Sequence, residues 1–312
     1  MGMLVDGEWK TEKQWHDDSD GRFKRKPTTF RDTARAESGR YHLYVSWACP
    51  WAHRALIVRQ LRVLDAHISL SVVDYFMGED GWHFSDRPGA IPDDVNGAKF
   101  LREIYQKADP NVSCRVTVPV LWDKREETIV NNESRELIAM FDTEFMTLGD
   151  PNVCFRPEGM EARIDEVIDA IYEPINNGVY RAGFAGTQEA YLEAVTELFE
   201  ALDHYEEVLG RQRYLCGDVV TEADWCMFTT LLRFDLVYYV HFKCNLQHIY
   251  DYPNLFNYLK DLYQIPGVRQ TCNFEHIKGH YYESHRSVNP HGIVPKGPRL
   301  ALGAPHDRGR FE

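Results

Sequence analysis

The chain has 312 residues, 44% hydrophobic and 27% charged, with a formal net charge of −13. That length suits about two domains and a core that needs no disulfide or metal staple. An acidic chain gains nothing from counterion release on a polyanion, which excludes nucleic acid as an expected partner.

In chain order, M1-G-M-L-V-D-G-E-W-K has no apolar core of a secretion signal. Residues 1–38 are polar and aperiodic and read as an extended arm. Residues 41–46 alternate and are rich in β-branched and aromatic side chains, which predicts a strand. Pro50 then opens an apolar run at helical spacing: Ala52, Ala55, Leu56, Val58, Leu61 and Leu64. Proline suits a first helical turn because the N–H it lacks has no partner there. Residues 68–74 read as a second strand, 76–97 as a Gly-, Asp- and Pro-rich loop, and 98–108 as a short helix. Strands at 116–122 and 128–130 flank a charged turn, and a helix begins at N131-N-E-S134. The order β-α-β-α-β-β-α is thioredoxin-like.

A linker at 147–157 follows. Beyond it the periodicity is helical almost throughout, at 158–176, 187–209, 221–240 and 252–264. Thr221, three residues before Asp224, marks a helix start, with a hydroxyl cap and a carboxylate near the positive helix end. The expected fold is therefore α/β followed by all-α. Its expected parts are an arm 1–38, a thioredoxin-like domain 39–146, the linker, a helical domain 158–275 and a tail 276–312 that contributes to the site. No apolar run reaches the roughly 18 residues of a membrane span.

The seven cysteines stand at 49, 114, 154, 216, 226, 244 and 272. An odd count without an export signal points to a reducing cytoplasm and free thiols. There is no C-x-x-C and no zinc-ligand spacing, so no metal is expected. Cys49 differs from the rest because a strand ends at it and a helix starts after it. Unpaired N–H groups and the helix dipole favour an anion there and lower a thiol pKa from about 8.5. Cys49 is thus a candidate nucleophile, whereas the other six read as small buried hydrophobes. Position 52 is Ala, so no second cysteine in the motif can resolve a mixed disulfide. An external low-molecular-weight thiol must do so.

Two further features point to that thiol. Pro119 falls within a predicted strand, where proline breaks the ladder. A cis bond at a strand start would explain it and would expose the main chain of Val118 to an extended peptide. Glu133 and Ser134 at a helix start suit an amino group and a carboxylate. In this order the features suit a γ-glutamyl peptide such as glutathione. His53, one turn into its helix, reads first as a packing or capping residue. For His280 and His285, beside the tail tyrosines, packing is again the first reading and a pocket role the second.

The chain resembles the glutathionyl-hydroquinone reductases, the xi class of glutathione transferases, over nearly its whole length. The likeness lies in S46-W-A-C-P-W-A-H-R54, G81-W82, R115-V-T-V-P-V-L-W-D123 and N132-E-S134. It continues in Y172-E-P-I-N-N-G-V-Y-R-A-G-F184, G279-H-Y-Y-E-S-H285 and N289-P-H-G-I-V294. The resemblance implies an enzyme that uses glutathione to release hydroquinones from glutathionyl-hydroquinones, working as a homodimer. It implies that Cys49 is the nucleophile and that Trp82, Val118, Glu133, Ser134 and Arg115 line the glutathione site. It also implies that Tyr180, Tyr238 and Tyr281 surround the hydroquinone, with Tyr180 and Tyr281 catalytic. The residues alone do not choose Tyr238 over Tyr239. A mixed-disulfide thioltransferase of the omega type shares the monothiol chemistry and stays open, as does a non-catalytic binding module.

Overall fold

The computed structural model describes residues 2–11 and 20–312, and its first feature is a hairpin where an aperiodic arm is expected. Part of that predicted arm, 12–19, lies outside the described residues. Strand β1 (Met3–Val5) pairs antiparallel with β2 (Glu8–Lys10). Asp6 and Gly7 between them have φ of 49° and 76°, the positive values that a tight turn between right-twisted strands requires. Leu4 is buried and exchanges both main-chain hydrogen bonds with Cys114, at 2.9 and 3.0 Å. Farther along, Asp32 N–H donates to Val130 O and Asn132 N–H to Phe30 O, at 2.9 and 3.1 Å. The arm is therefore partly built into the sheet, and it covers an edge that would otherwise expose unpaired main chain.

The described residues fall into two units: 2–11, 25–153 and 271–284 in the first, and 20–24, 154–270 and 285–312 in the second. The first is built on strands β3 (Tyr41–Val45), β4 (Ile68–Val72), β5 (Val120–Asp123) and β6 (Thr128–Asn131), in the order β4-β3-β5-β6. Strands β3 and β4 are parallel, with Tyr41 opposite Ile68, because helix α1 (Pro50–Leu61) crosses between them. β5 runs antiparallel to both β3 and β6. β5 starts later than the reading of 116–122, since Pro119 has no N–H to give the ladder. Helices α2 (Leu101–Ala108) and α3 (Ser134–Thr143) complete the run, and α3 packs on α1.

The second unit is helical: α4 (Glu161–Ile171), α5 (Gly178–Gly183), α6 (Gln188–Leu209), α7 (Glu222–Arg233), α8 (Tyr239–His241) and α9 (Pro253–Gln264). Two spans read as single helices are broken by π-helical turns, at Tyr172–Asn176 and Phe234–Tyr238. Such a turn carries an extra residue, which a 3.6-residue periodicity does not register. Helix α7 is buried along its whole length. Its start is capped by the Asp224 carboxylate: Thr221 N–H donates to Asp224 Oδ2 at 2.7 Å, and the Thr221 hydroxyl donates to the same oxygen at 3.0 Å.

The tail 276–312 is divided between the two units. Helix α10 (Phe274–Gly279) and a third π-helical turn, His280–Ser284, belong to the first unit, and the chain from His285 onward belongs to the second. Among the described residues, no helix is long and apolar enough to cross a membrane.

Candidate active site

Cys49 is the N-cap residue of α1, with extended backbone (φ −75°, ψ 121°) and Pro50 at the first helical position. Its carbonyl accepts from His53 N–H at 3.0 Å, the first bond of the helix. Its Sγ lies 3.6 Å from Val118 O, and Val118–Pro119 is cis. Strand end, helix start and proline turn thus place a half-exposed thiol beside the Val118 main chain. The remaining cysteines have different surroundings. Cys114, Cys226 and Cys244 are buried as expected, but Cys154 is exposed and Cys216 and Cys272 are only half-buried; burial pushes the Cys114 thiol up to about 11 and raises those of Cys216 and Cys244.

Glu133 caps α3: its Oε1 accepts from Arg135 N–H at 3.3 Å and its Oε2 from the Thr28 hydroxyl at 3.1 Å. Ser134 is buried, and Arg54 Nη1 donates to its Oγ at 3.4 Å. The Arg54 guanidinium also lies over the Trp51 ring, 4.4 Å from its centre. One side chain ties this corner to Val118. The Tyr105 hydroxyl donates to Thr117 O at 2.8 Å and accepts from Thr117 N–H at 3.2 Å and Asn132 Nδ2 at 3.0 Å. Burial pushes the Tyr105 phenol up to about 12, which keeps the proton for the first of these bonds. Tyr105 and Arg54 were not picked out from the sequence. Each sits on an apolar-patterned helix, and only the fold shows where its polar tip ends.

Arg115 is half-buried on the segment leading to Val118. Trp82 is buried, and its indole stacks on the imidazole of His280, with ring centres 4.7 Å apart and planes at 22°. Tyr281 is buried next to it and meets His280 edge to face. The first unit therefore holds Cys49, Trp82, Arg115, Val118, Glu133, Ser134 and Tyr281. His53 is buried, its Nε2 paired with Thr271 Oγ1 at 2.8 Å, in keeping with a packing role.

Tyr180 and Tyr238 are in the second unit, ring centres 6.0 Å apart. Tyr238 is buried and stacks on Phe242 at 5.6 Å and 9°. Tyr180 packs on Phe23, Phe184 and Phe242, at 6.4, 6.3 and 5.4 Å. His285 stacks on the same Phe242, and its Nδ1 is 3.2 Å from His241 Nε2. Tyr239, by contrast, stacks on His248 at 3.5 Å. Tyr238 and Tyr281 lie within π-helical turns, and Tyr180 follows one, a helix defect frequent at functional sites. The phenylalanines of this cluster were also not foreseen, since apolar residues at helical spacing read as ordinary core.

Gly183 admits Phe242 into the cluster. A Cβ there would lie 2.2 Å from the Phe242 ring carbons. Gly183→Ala should destabilise the protein by about 1–3 kcal/mol through overpacking and change the near-ultraviolet aromatic dichroism. An unchanged melting midpoint and spectrum would contradict this packing.

Residues 48–144 match the family Glutathione S-transferase, N-terminal domain, and 188–261 match Glutathione S-transferase, C-terminal domain. Glutathionyl-hydroquinone reductase YqjG of Escherichia coli (strain K12) is 49% identical, over 99% of this chain and 98% of that one. A glutathione-bound structure of YqjG has a TM-score of 0.90, at 50% identity and 99% of each chain. Glutathionyl-hydroquinone reductase PcpF of Sphingobium chlorophenolicum is 49% identical, over 97% of this chain and 98% of that one. A Xi Class GST from Natrialba magadii has a TM-score of 0.96, at 55% identity, over 99% of this chain and 98% of that one. With identity at this level along the full length, and a thioredoxin-like unit joined to a helical one, the chain belongs to the glutathionyl-hydroquinone reductase family, the xi class of glutathione transferases.

Proposed function

We propose that this protein removes glutathione from glutathionyl-hydroquinones, consuming a second glutathione and releasing free hydroquinone and glutathione disulfide. The observation that carries the reading is Cys49 at the start of α1, its Sγ 3.6 Å from the Val118 carbonyl and no cysteine at position 52. The two relatives named as reductases of such conjugates, and the glutathione-bound structure of one of them, support it.

In the first step the Cys49 thiolate attacks the sulfur of the substrate thioether. A Cys49–glutathione disulfide forms, and the carbon–sulfur electron pair passes to the ring. That leaving group is poor unless the ring carbon already carries a proton, as in the keto tautomer; the pair then ends on oxygen as a phenolate. Protonation of that oxygen gives the hydroquinone. In the second step a glutathione thiolate attacks the glutathionyl sulfur, releasing glutathione disulfide and regenerating the Cys49 thiolate. The two glutathionyl sulfurs, oxidised together to the disulfide, supply the two electrons that reduce the ring carbon, and Cys49 ends unchanged.

On this reading the Val118 main chain, Trp82 and Arg115 line the glutathione site. Glu133 accepts from the γ-glutamyl ammonium, and Ser134 with Arg54 holds its carboxylate. The aromatic cluster of Tyr180, Tyr238 and Phe242 receives a hydroquinone ring, and Tyr180 and Tyr281 act as phenol donors to ring oxygens. The protein works in the cytoplasm as a homodimer and needs no metal.

The test is glutathionyl-menadiol plus glutathione with the purified protein, following menadiol and glutathione disulfide together. Equal molar release of both is expected. Failure to release menadiol, with fast reduction of glutathionylated mercaptoethanol, would replace the reading by a thioltransferase of the omega type.

A further inference from the structure

Two tail histidines grip the loop that carries Trp82. His280 Nδ1 lies 2.7 Å from Tyr75 O, and His276 Nε2 lies 2.8 Å from Pro88 O. A carbonyl oxygen can only accept, so both of these nitrogens carry protons, which fixes both tautomers. The two anchor points bracket Trp82 along the chain. The same π-helical turn adds Ser284, whose Oγ accepts from Met77 N–H at 2.9 Å. Gly279 lets the tail come this close: a Cβ there would lie 2.5 Å from the Tyr75 ring. The loop is braced from within as well. Arg87 Nη1 donates to the Tyr75 hydroxyl at 2.6 Å, and Asp74 Oδ2 accepts from Ser85 and Arg87 at 2.6 and 3.1 Å.

His280 alone of the two histidines adds a ring contact with Trp82, stacked at 4.7 Å and 22°. The imidazole is thus pinned at one nitrogen and laid along the indole. We propose that His280 is a positioning residue for glutathione. It holds the Trp82 indole in place before the ligand arrives, which lowers the ordering cost of binding. Through it, a segment near the end of the chain sets the affinity of a site formed by residues far earlier in sequence. The proposal rests on the reading of Trp82 as a glutathione contact.

The experiment is calorimetric titration of the full-length protein with glutathione, alongside melting midpoints and steady-state kinetics. His280→Ala should weaken glutathione about three- to tenfold, the loss of one aromatic pair, and the change should fall on KM for glutathione more than on kcat. His280→Phe keeps a ring against the indole without the donor, and should recover most of the affinity. His280→Asn keeps a donor for Tyr75 O without the ring, and should recover stability but not affinity. His276→Ala frees the loop at Pro88, and should lower the melting midpoint while leaving glutathione affinity in place. Unchanged affinity in His280→Ala would overturn the proposal. So would affinity losses that follow the melting midpoint across all four variants, because the histidine would then be only a brace. A wild-type protein that binds no glutathione would overturn the site reading and the positioning role together.

Discussion

Cys49→Ala and Cys49→Ser are expected to lower glutathione-dependent menadiol release at least about a thousandfold, the scale on which loss of a nucleophile acts. Neither change should unfold the protein. Residue 49 is half-exposed, and its main chain closes the first bond of α1 whatever its side chain. A second measurement isolates the step. Wild-type protein given the conjugate without free glutathione should gain one glutathionyl group, located on Cys49 by peptide mass. Adding glutathione should remove it. Equal menadiol release by the alanine variant would refute the covalent mechanism. Release without any trapped adduct would leave the thiol as a binding group only.

Asp224→Ala should have the largest effect on stability. This carboxylate is fully buried at the start of α7. Its Oδ1 accepts from Leu215 N–H at 2.9 Å and the Tyr258 hydroxyl at 2.8 Å, and its Oδ2 from both donors of Thr221. Burial pushes the carboxyl above its ordinary value, and these hydrogen bonds oppose the shift. Alanine strands several buried donors at once, at about 1–3 kcal/mol each when unsatisfied. The expected net loss is about 3–5 kcal/mol. Asp224→Asn replaces one acceptor oxygen by an amide that faces donors, and should cost about half as much. Urea unfolding followed by far-ultraviolet dichroism measures both. A shift below about 1 kcal/mol for alanine would show that water or local rearrangement satisfies the stranded groups.

Much of this was legible in residue order. Strands β3 and β4, the start of α1 and the long helix α6 follow from alternation, from Pro50 and from apolar spacing, because each signal is local. Cys49 at a helix start and a cis bond before Pro119 were foreseen for a different reason: Cys-Pro at a strand end and proline in a strand each demand a particular backbone. The hairpin at the N-terminus was missed although Asp6-Gly7 is a turn signal, since three-residue strands show almost no period. The π-helical turns are invisible to periodicity, because one extra residue shifts the face. Tyr238 and Tyr239 are adjacent in one apolar helical run, L-V-Y-Y-V, so residue order alone gave no ground for choosing between them. Tyr105, Arg54 and Phe242 could not be assigned from sequence, since their partners lie far away in the chain and only folding brings them together.

The split membership of the tail has a consequence for synthesis. The first unit needs residues 271–284, which leave the ribosome after most of the second unit has emerged. Domains otherwise tend to fold in the order they are made. Here the strands and α1 can assemble early, but the support behind Trp82 arrives last. Cys49 is therefore made long before the segment that packs His280 on Trp82, and that packing waits until most of the second unit has been made.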